Sequence, residues 1–444
     1  MKVLEQARKI AIPTRQEEEK MLVLANNLLK LVEKEAGKYP EVVLVELGGS
    51  YAKGTWLKGK LDLDIFVKIK KEIDVKRFEE IGKKIGFASM KKFKPYVRYS
   101  EHPYVEAEAE DIKVNVVPCY DIELGQWKSA ADRSSFHTKF ILEKLDVEKK
   151  NEVRLLKKFL GGANIYGAEI AMEGFGGYVA EVLVYNYGTF TKVLEAAANF
   201  TRGQVIGNPT KKFESALVLM DPIDSNRNLG TAISTQNFGR FILAARSFLK
   251  KQTLSYFNGR GITLNQKNLK NVIVVKFDYK WRSPDTIWGQ VKRGATALSG
   301  QLELGGFSVL RKSGMVDEQT QDAAMIFLVH SPVIGNIMLK NGPDVFRKQE
   351  SENFILQNSK NNLTWVDDEG RILSLQQREF SDAKKFLQSL LKKNLAKAGI
   401  PSGIIPDMKR GFKVIQGSQM TSKSIKKALA ELTSTDELIF GVSK

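Results

Sequence analysis

A chain of 444 residues, 43% hydrophobic and 9% aromatic, is too long for one ordinary core and rich enough to bury several, which excludes a disordered polypeptide and predicts two to four domains. The single cysteine, Cys119, excludes an intramolecular disulfide framework, and three histidines are too few for a zinc site. A formal charge of +18 points to a polyanionic partner, most simply nucleic acid. Thr14 followed by Glu17 predicts a capping box, opening a helix in which Met21, Leu24, Ala25, Leu28, Leu31 and Val32 recur at helical spacing. "VVLVEL" reads as a short buried strand, Gly48–Gly49–Ser50 as a tight turn into a brief helix, and "LDLDIFVKI" as a second strand. "VKRFEEIGKKI" is helical, and "YVRY", "PYVEAEAE" and "IKVNVVPCY" alternate as strands, with Cys119 packed in a buried strand end.

From "KKNEVRLLKKFLGG" to "RFILAARSFLKKQ" the pattern is mostly helical, and its most apolar stretch, "GGYVAEVLVYNYG", is broken by Glu181. No window approaches an uncharged membrane span, and "MKVLEQARKIAIP" has no apolar leader core, so a soluble cytoplasmic protein with no membrane partner is expected. Strand patterns return at "NVIVVKF", "GGFSVLRKSG" and "DAAMIFLVH", and "LTWVDDEGRILSL" reads as a hairpin across Asp368–Gly370. "SDAKKFLQSLLKKNLAKAG" reads as a basic amphipathic helix opened by Ser381 and ended at Gly399. Between Arg378 and Lys427 twelve Lys or Arg meet three acids, so half the charge excess lies in a small part of the chain.

The chemistry concentrates in "GGSYAKGTWLKGKLDLDIFVKI". On a strand Asp62 and Asp64 share one side, roughly 7 Å apart, an unfavourable placement unless a cation lies between them. The glycine turn upstream lets the backbone approach a ligand, and free N–H groups at a helix start bind phosphate. In this order and spacing the two features resemble the nucleotidyltransferases that include DNA polymerase beta and the poly(A) polymerases. Such enzymes use two Mg²⁺ ions, held by carboxylates and phosphate oxygens, to join a nucleoside triphosphate to a 3′-hydroxyl.

A closer resemblance lies in "GGSYAKGTWLKGKLDLDIFV", "RYSEHPYVEA", "VNVVPCYD", "KSAADRSSFHTKF", "NEVRLLKKFLGGANIYGAE" and "DPIDSNRN". These blocks follow the order and spacing of the archaeal, class I CCA-adding enzymes, densely from residue 45 to about 230 and collinearly to the end. The resemblance implies an α+β multidomain fold: a polymerase-beta-like palm at 1–145, a helical central domain at 146–255, and an α/β body at 256–324 and 389–444, interrupted by an inserted tail at 325–388. It implies template-independent addition and repair of the 3′-terminal CCA of tRNA from CTP and ATP. Gly49, Ser50 and Lys53 then meet the triphosphate, the family usually having arginine where Lys53 stands. His137, Lys157 and Tyr166 complete the nucleotide site, and Arg227 helps read the base. Body and tail grip the acceptor stem and TΨC arm of tRNA; Lys384, Lys392, Lys409, Arg410 and Lys423 in the basic cluster suit that duty, since A-form RNA is read through its phosphates and 2′-hydroxyls. A homodimer is left open.

One position departs from the pattern. The resemblance places a third metal-binding carboxylate where this chain has Asn115, which shares a strand face with Lys113 and Val117. Asparagine can ligate Mg²⁺ through its amide oxygen but brings no charge, so metal affinity and hydroxyl activation should suffer. Asp111 lies two pleats away, roughly 13 Å, and Glu108 and Glu110 approach only if the hairpin folds them inward. The favoured reading is a working or formerly working enzyme, and a natural form that works with a weaker site is one version of it. A deliberately inactivated form, a tRNA-binding protein with impaired catalysis and a related RNA terminal nucleotidyltransferase are the alternatives.

Overall fold

The computed structural model describes residues 2–99, 102–259, 264–361, 363–420 and 423–436. They fall into two compact units, Met1–Gly261 with Asp436–Lys444, and Ile262–Thr435.

The first unit opens with α1 (Lys2–Ala11) and α2 (Arg15–Ala36). The capping box is present: the Thr14 N–H donates to Glu17 Oε2 at 2.6 Å and the Glu17 N–H to Thr14 Oγ1 at 3.3 Å. Helix α2 buries Met21, Leu24, Ala25, Leu28 and Val32, whereas Leu31, expected inside, is exposed at the margin of the apolar stripe. Next come β1 (Val42–Gly48), α3 (Gly49–Lys53), β2 (Asp62–Lys70), α4 (Val75–Ser89), β3 (Tyr96–Tyr99), β4 (Pro103–Ala109) and β5 (Ile112–Asp121). Ser100 and Glu101 of the "RYSEHPYVEA" block lie outside the described residues. The strands form one sheet in the order β1-β2-β5-β4-β3, in which only β2 and β5 run parallel. Strand β1 is an edge with Val43 and Leu44 half-exposed, so "VVLVEL" is not the buried strand its composition suggests. Leu28, Val32, Phe78, Ile81 and Ile85 from α2 and α4 pack with Leu63, Ile65, Val67, Val114 and Val116 in one core. Strand alternation therefore leaves Asp62, Asp64 and Asn115 on the face these helices do not cover.

Helices α5 (Arg133–Lys144), α6 (Val147–Gly162), α7 (Gly177–Tyr187), α8 (Phe190–Ala197), α9 (Thr235–Lys250) and α10 (Ser255–Asn258) share an aromatic-rich core around Phe159, Phe190, Phe248 and Phe257. The helical reading of this stretch misses three short strands, β6 (Gln204–Ile206), β7 (Leu217–Asp221) and β8 (Asp224–Asn228), which form a small sheet. Five-residue strands carry too little periodicity to be told from helix, and "DSNRN" carries no apolar residue at all.

The second unit runs α11 (Gln266–Leu269), β9 (Val272–Asp278), α12 (Pro284–Leu304), β10 (Val309–Asp317), β11 (Asp322–Val329), β12 (Ile337–Asp344), α13 (Lys348–Asn358), β13 (Leu363–Val366), β14 (Arg371–Gln377), α14 (Ala383–Lys393), α15 (Ile405–Arg410), β15 (Phe412–Gln416) and α16 (Lys423–Thr433). One antiparallel sheet has the order β10-β11-β9-β15; another, β12-β14-β13, contains the expected hairpin, with Val366 opposite Ile372. Helix α14 is shorter than its sequence pattern. Its N-cap is Asp382, whose side chain accepts from the Lys385 N–H, not Ser381. It stops at Lys393 because Asn394 turns extended and its Oδ1 accepts from the Lys397 N–H at 2.9 Å, competing with helix continuation. Among the described residues no helix is long and apolar enough to cross a membrane.

Candidate active site

Strand β1 ends at Gly48, opposite Asp64 of β2, and the chain turns there into α3. Gly49 has φ +61°, and a Cβ at that position would lie 1.9 Å from Asp64 Oδ2. Only glycine lets the backbone turn this closely over the carboxylate. Asp64 registers with Asn115, Asn115 with Glu106, and Glu106 with Tyr96, so one row of side chains crosses four strands on the same face. Asn115 Nδ2 donates to Asp64 Oδ1 at 2.9 Å, while Asn115 Oδ1 is buried without a hydrogen-bond partner among the described residues. Asp62, two residues along β2, is exposed. Burial pushes the Asp64 carboxyl above its ordinary range, and the charge of Asp62 adds to this against the opposing Asn115 amide and Lys53.

The three acids weighed as substitutes at position 115 do not reach it. Glu108 registers with Lys113 and is exposed, and Glu110 and Asp111 make the β4–β5 turn with φ +49° and +64°. Glu106, which sequence reasoning passed over, is the carboxylate residue beside Asn115. Period-two alternation alone puts Glu106, Glu108 and Glu110 on one face; register decides which of them is the neighbour.

A second cluster gathers the lysines around an acid. Glu181 on α7 is 1% exposed; Lys53 Nζ donates to its Oε2 at 2.9 Å, Lys157 Nζ to its Oε1 at 2.8 Å and Thr55 Oγ1 to its Oε1 at 2.6 Å. Burial alone would raise the Glu181 carboxyl, but the Lys157 and Lys53 ammoniums overcome it and hold the pKa at about 2. Lys157 also donates to Thr55 O and Oγ1, so its three protons are all committed. Lys53 makes one such bond and stands 4.9 Å from the centre of the Tyr178 ring. Tyr166 is half-buried, and a Cβ at Gly177, the first residue of α7, would lie 3.2 Å from its hydroxyl and 3.5 Å from Lys157 Nζ. The interruption of an apolar helix by Glu181 is the sequence feature that could have revealed this acid, because a buried carboxylate requires partners.

A third cluster centres on Asp221, at the end of β7. Its Oδ2 accepts from Arg227 Nη1 at 3.1 Å and lies 2.9 Å from His137 Nε2, and its Oδ1 accepts from the Tyr178 hydroxyl at 3.2 Å. Burial lowers the His137 pKa below its ordinary value, against the opposing Asp221. A carboxylate can only accept, so His137 Nε2 is the donor. The His137 and Tyr178 rings stack with centroids 3.8 Å apart. His137 is placed by Asp132, just before α5, whose carboxylate accepts from the N–H groups of Tyr120, Lys128 and Ser129, tying the start of that helix to the end of β5. Arg133, His137, Gly177, Tyr178 and Arg227 line a cavity of about 920 Å³. Tyr178 links the second and third clusters.

The expected tRNA-binding residues belong to the second unit. Lys392 and Lys409 are exposed, as are Lys385, Lys393 and Lys397, while Lys384 is half-buried. Arg410 is tied to Asp407 at 2.9 Å, and the Lys423 side chain lies outside the described residues.

Three family models match the chain in succession: a nucleotidyltransferase domain at residues 27–145, the second domain of tRNA nucleotidyltransferase at 151–258, and the C-terminal domain of CCA-adding enzyme at 270–417. The CCA-adding enzyme of Pyrobaculum aerophilum is 38% identical over 358 residues, covering 78% of this chain and 82% of that protein. That of Sulfurisphaera tokodaii is 33% identical over 405 residues, covering 89% and 92%, and that of Sulfolobus acidocaldarius 34% over 346 residues, covering 77% and 82%. The α+β multidomain organisation expected from the sequence, with a nucleotidyltransferase palm, a helical domain and a C-terminal portion, is borne out by these matches and by the elements above. With these matches the chain, a palm whose glycine turn closes over Asp64, tied through Lys53, Thr55 and His137 to Glu181 and Asp221 of the helical domain, belongs to the archaeal CCA-adding enzymes, the tRNA nucleotidyltransferases.

Proposed function

We propose that this tRNA CCA-adding enzyme builds and repairs the 3′-terminal CCA from CTP and ATP without a nucleic-acid template, by attack of the tRNA 3′-hydroxyl on the α-phosphate. The observation that carries the reading is the Gly49 turn over Asp64, which brings a phosphate-cradling backbone and a carboxylate pair to one place. Asp62 and Asp64 offer carboxylate oxygens that suit Mg²⁺, and Asn115 would add its amide oxygen once the amide that now gives Nδ2 to Asp64 turns over. When bound, such ions supply acidification of the attacking hydroxyl and neutralisation of the leaving pyrophosphate. Gly49 and Ser50 cradle the triphosphate. Lys53, with two uncommitted protons, contacts it directly, whereas Lys157 does so only on releasing Thr55 or Glu181. Tyr166 and His137 bound the sugar and phosphates, and Arg227 presents donors to the base edge.

We also propose the division into palm (1–145), helical domain (146–255), body and inserted tail, with the tail limits moved. Strand β11 is paired with β10 up to Val329, and Ala383, Leu387 and Leu391 of α14 belong to the same core, so the insertion spans about 330–381. Body and tail carry the exposed lysines that suit the acceptor stem and TΨC arm.

The experiment is tRNA lacking its 3′ end, incubated with Mg²⁺ and CTP, ATP or both, and read at nucleotide resolution. Two residues added from CTP alone and a completed CCA with both are expected. Long homopolymer tails would instead indicate a general terminal nucleotidyltransferase.

A further inference from the structure

Asn115 stands between two carboxylate residues in one row, Asp64 on β2 and Glu106 on β4. It gives Nδ2 to Asp64 at 2.9 Å and leaves Oδ1 buried and, among the described residues, unbonded. That orientation suits the amide to a bare carboxylate but not to one holding a cation, because its positive end then faces the ion. About half a turn around Cβ–Cγ exchanges the two ends. Nδ2 then needs an acceptor on its other side, where the neighbour is Glu106. Glu106 is 5% exposed; the Tyr96 hydroxyl donates to its Oε1, Arg98 Nη2 lies 3.4 Å from the same atom and Lys113 Nζ 3.8 Å from it. None of these three contacts is made to Oε2. The second oxygen faces no competitor among them.

We propose that Glu106 is the positioning residue for Asn115, an inference that rests on the reading of Asp62 and Asp64 as cation holders. With a divalent ion on those carboxylates the amide turns over, Oδ1 faces the ion and Nδ2 donates to Glu106. The hydrogen bond draws electron density onto the amide oxygen and makes a neutral ligand a stronger one, as carboxylates behind metal ligands do elsewhere.

The test is Mn²⁺ binding to the full chain, followed by electron paramagnetic resonance. Glu106→Gln should weaken Mn²⁺ affinity by about tenfold or more. In an Asn115→Asp background the same change should have no effect or tighten binding, because an aspartate needs no amide acceptor. Should Glu106→Gln unfold early, the pair Arg98→Gln with Glu106→Gln removes both charges together and must give the same loss. An affinity within about twofold of the parent, or an equal loss in both backgrounds, overturns the proposal. Retained Mn²⁺ binding in Asp64→Ala would instead sink the metal site itself, so the two failures are distinct.

Discussion

Glu181 holds two ammonium groups and a hydroxyl inside the first unit, and its removal would leave Lys53 and Lys157 buried without a counter-charge. Glu181→Gln is expected to cost on the order of 3–5 kcal/mol at pH 7, read by thermal or denaturant melts. The pH dependence follows from the sign of the shift. The folded pKa of about 2 lies below the ordinary value of 4.5, so the stabilisation is complete above pH 4.5 and is lost as pH falls through that interval towards 2. The parent should therefore lose stability across that window while the glutamine variant loses less, and parallel curves would count against the charge-pair account. Asp221 plays a similar part in the third cluster, where it contacts both His137 and Arg227. Arg227→Ala and Asp221→Asn should each change the ratio of C to A incorporated on tRNA substrates; an equal loss of both nucleotides with a lowered melting temperature would place these residues in stability alone.

The turn from β1 into α3 is the element on which the proposed chemistry depends. Gly49→Ala puts a methyl group 1.9 Å from Asp64 Oδ2 and forces a side-chain-bearing residue to φ +61°. A loss of more than about 1 kcal/mol is expected together with loss of nucleotide incorporation, because the carboxylate must move. An alanine variant that is destabilised but fully active would show that the position of Asp64 tolerates displacement. The capping box of α2 lies away from the site and provides the contrast. Thr14→Ala should cost about 1 kcal/mol in melts and leave incorporation per folded molecule unchanged.

Positive charge is unevenly spread along the chain, and the exposed lysines of the second unit include Lys392, Lys393, Lys397 and Lys409. If they neutralise phosphates, tRNA affinity falls steeply with salt, and each contact removed by Lys→Gln flattens the slope of log affinity against log salt by about 0.7–0.9. A slope unchanged after all four substitutions would mark these lysines as a solvated face. Asp62→Ala and Asp64→Ala should behave in the opposite manner, abolishing incorporation while tRNA affinity and its salt slope survive. Binding lost in step with activity would mean that the acids support the fold.

Features that depend on neighbours along the chain were legible without coordinates. They include the Thr14–Glu17 cap, the apolar stripe of α2, the glycine turn before Asp62 and Asp64, and the β13–β14 hairpin, all products of backbone preference and of the two side-chain periods. Leu31 and β1 were misread because an apolar pattern tells which face is buried, not where its margin falls or whether a strand lies at an edge. Which acid each of the site's lysines, histidine and arginine meets was not legible. Glu181 meets Lys53 across 128 positions and Thr55 across 126, Asp221 meets His137 across 84, and Glu106 adjoins Asn115 only through one particular register of β4 on β5. An ionisable side chain states that it needs a partner, but which partner it finds is set by strand order, register and the packing of helices distant in sequence, and local propensity carries no information about these.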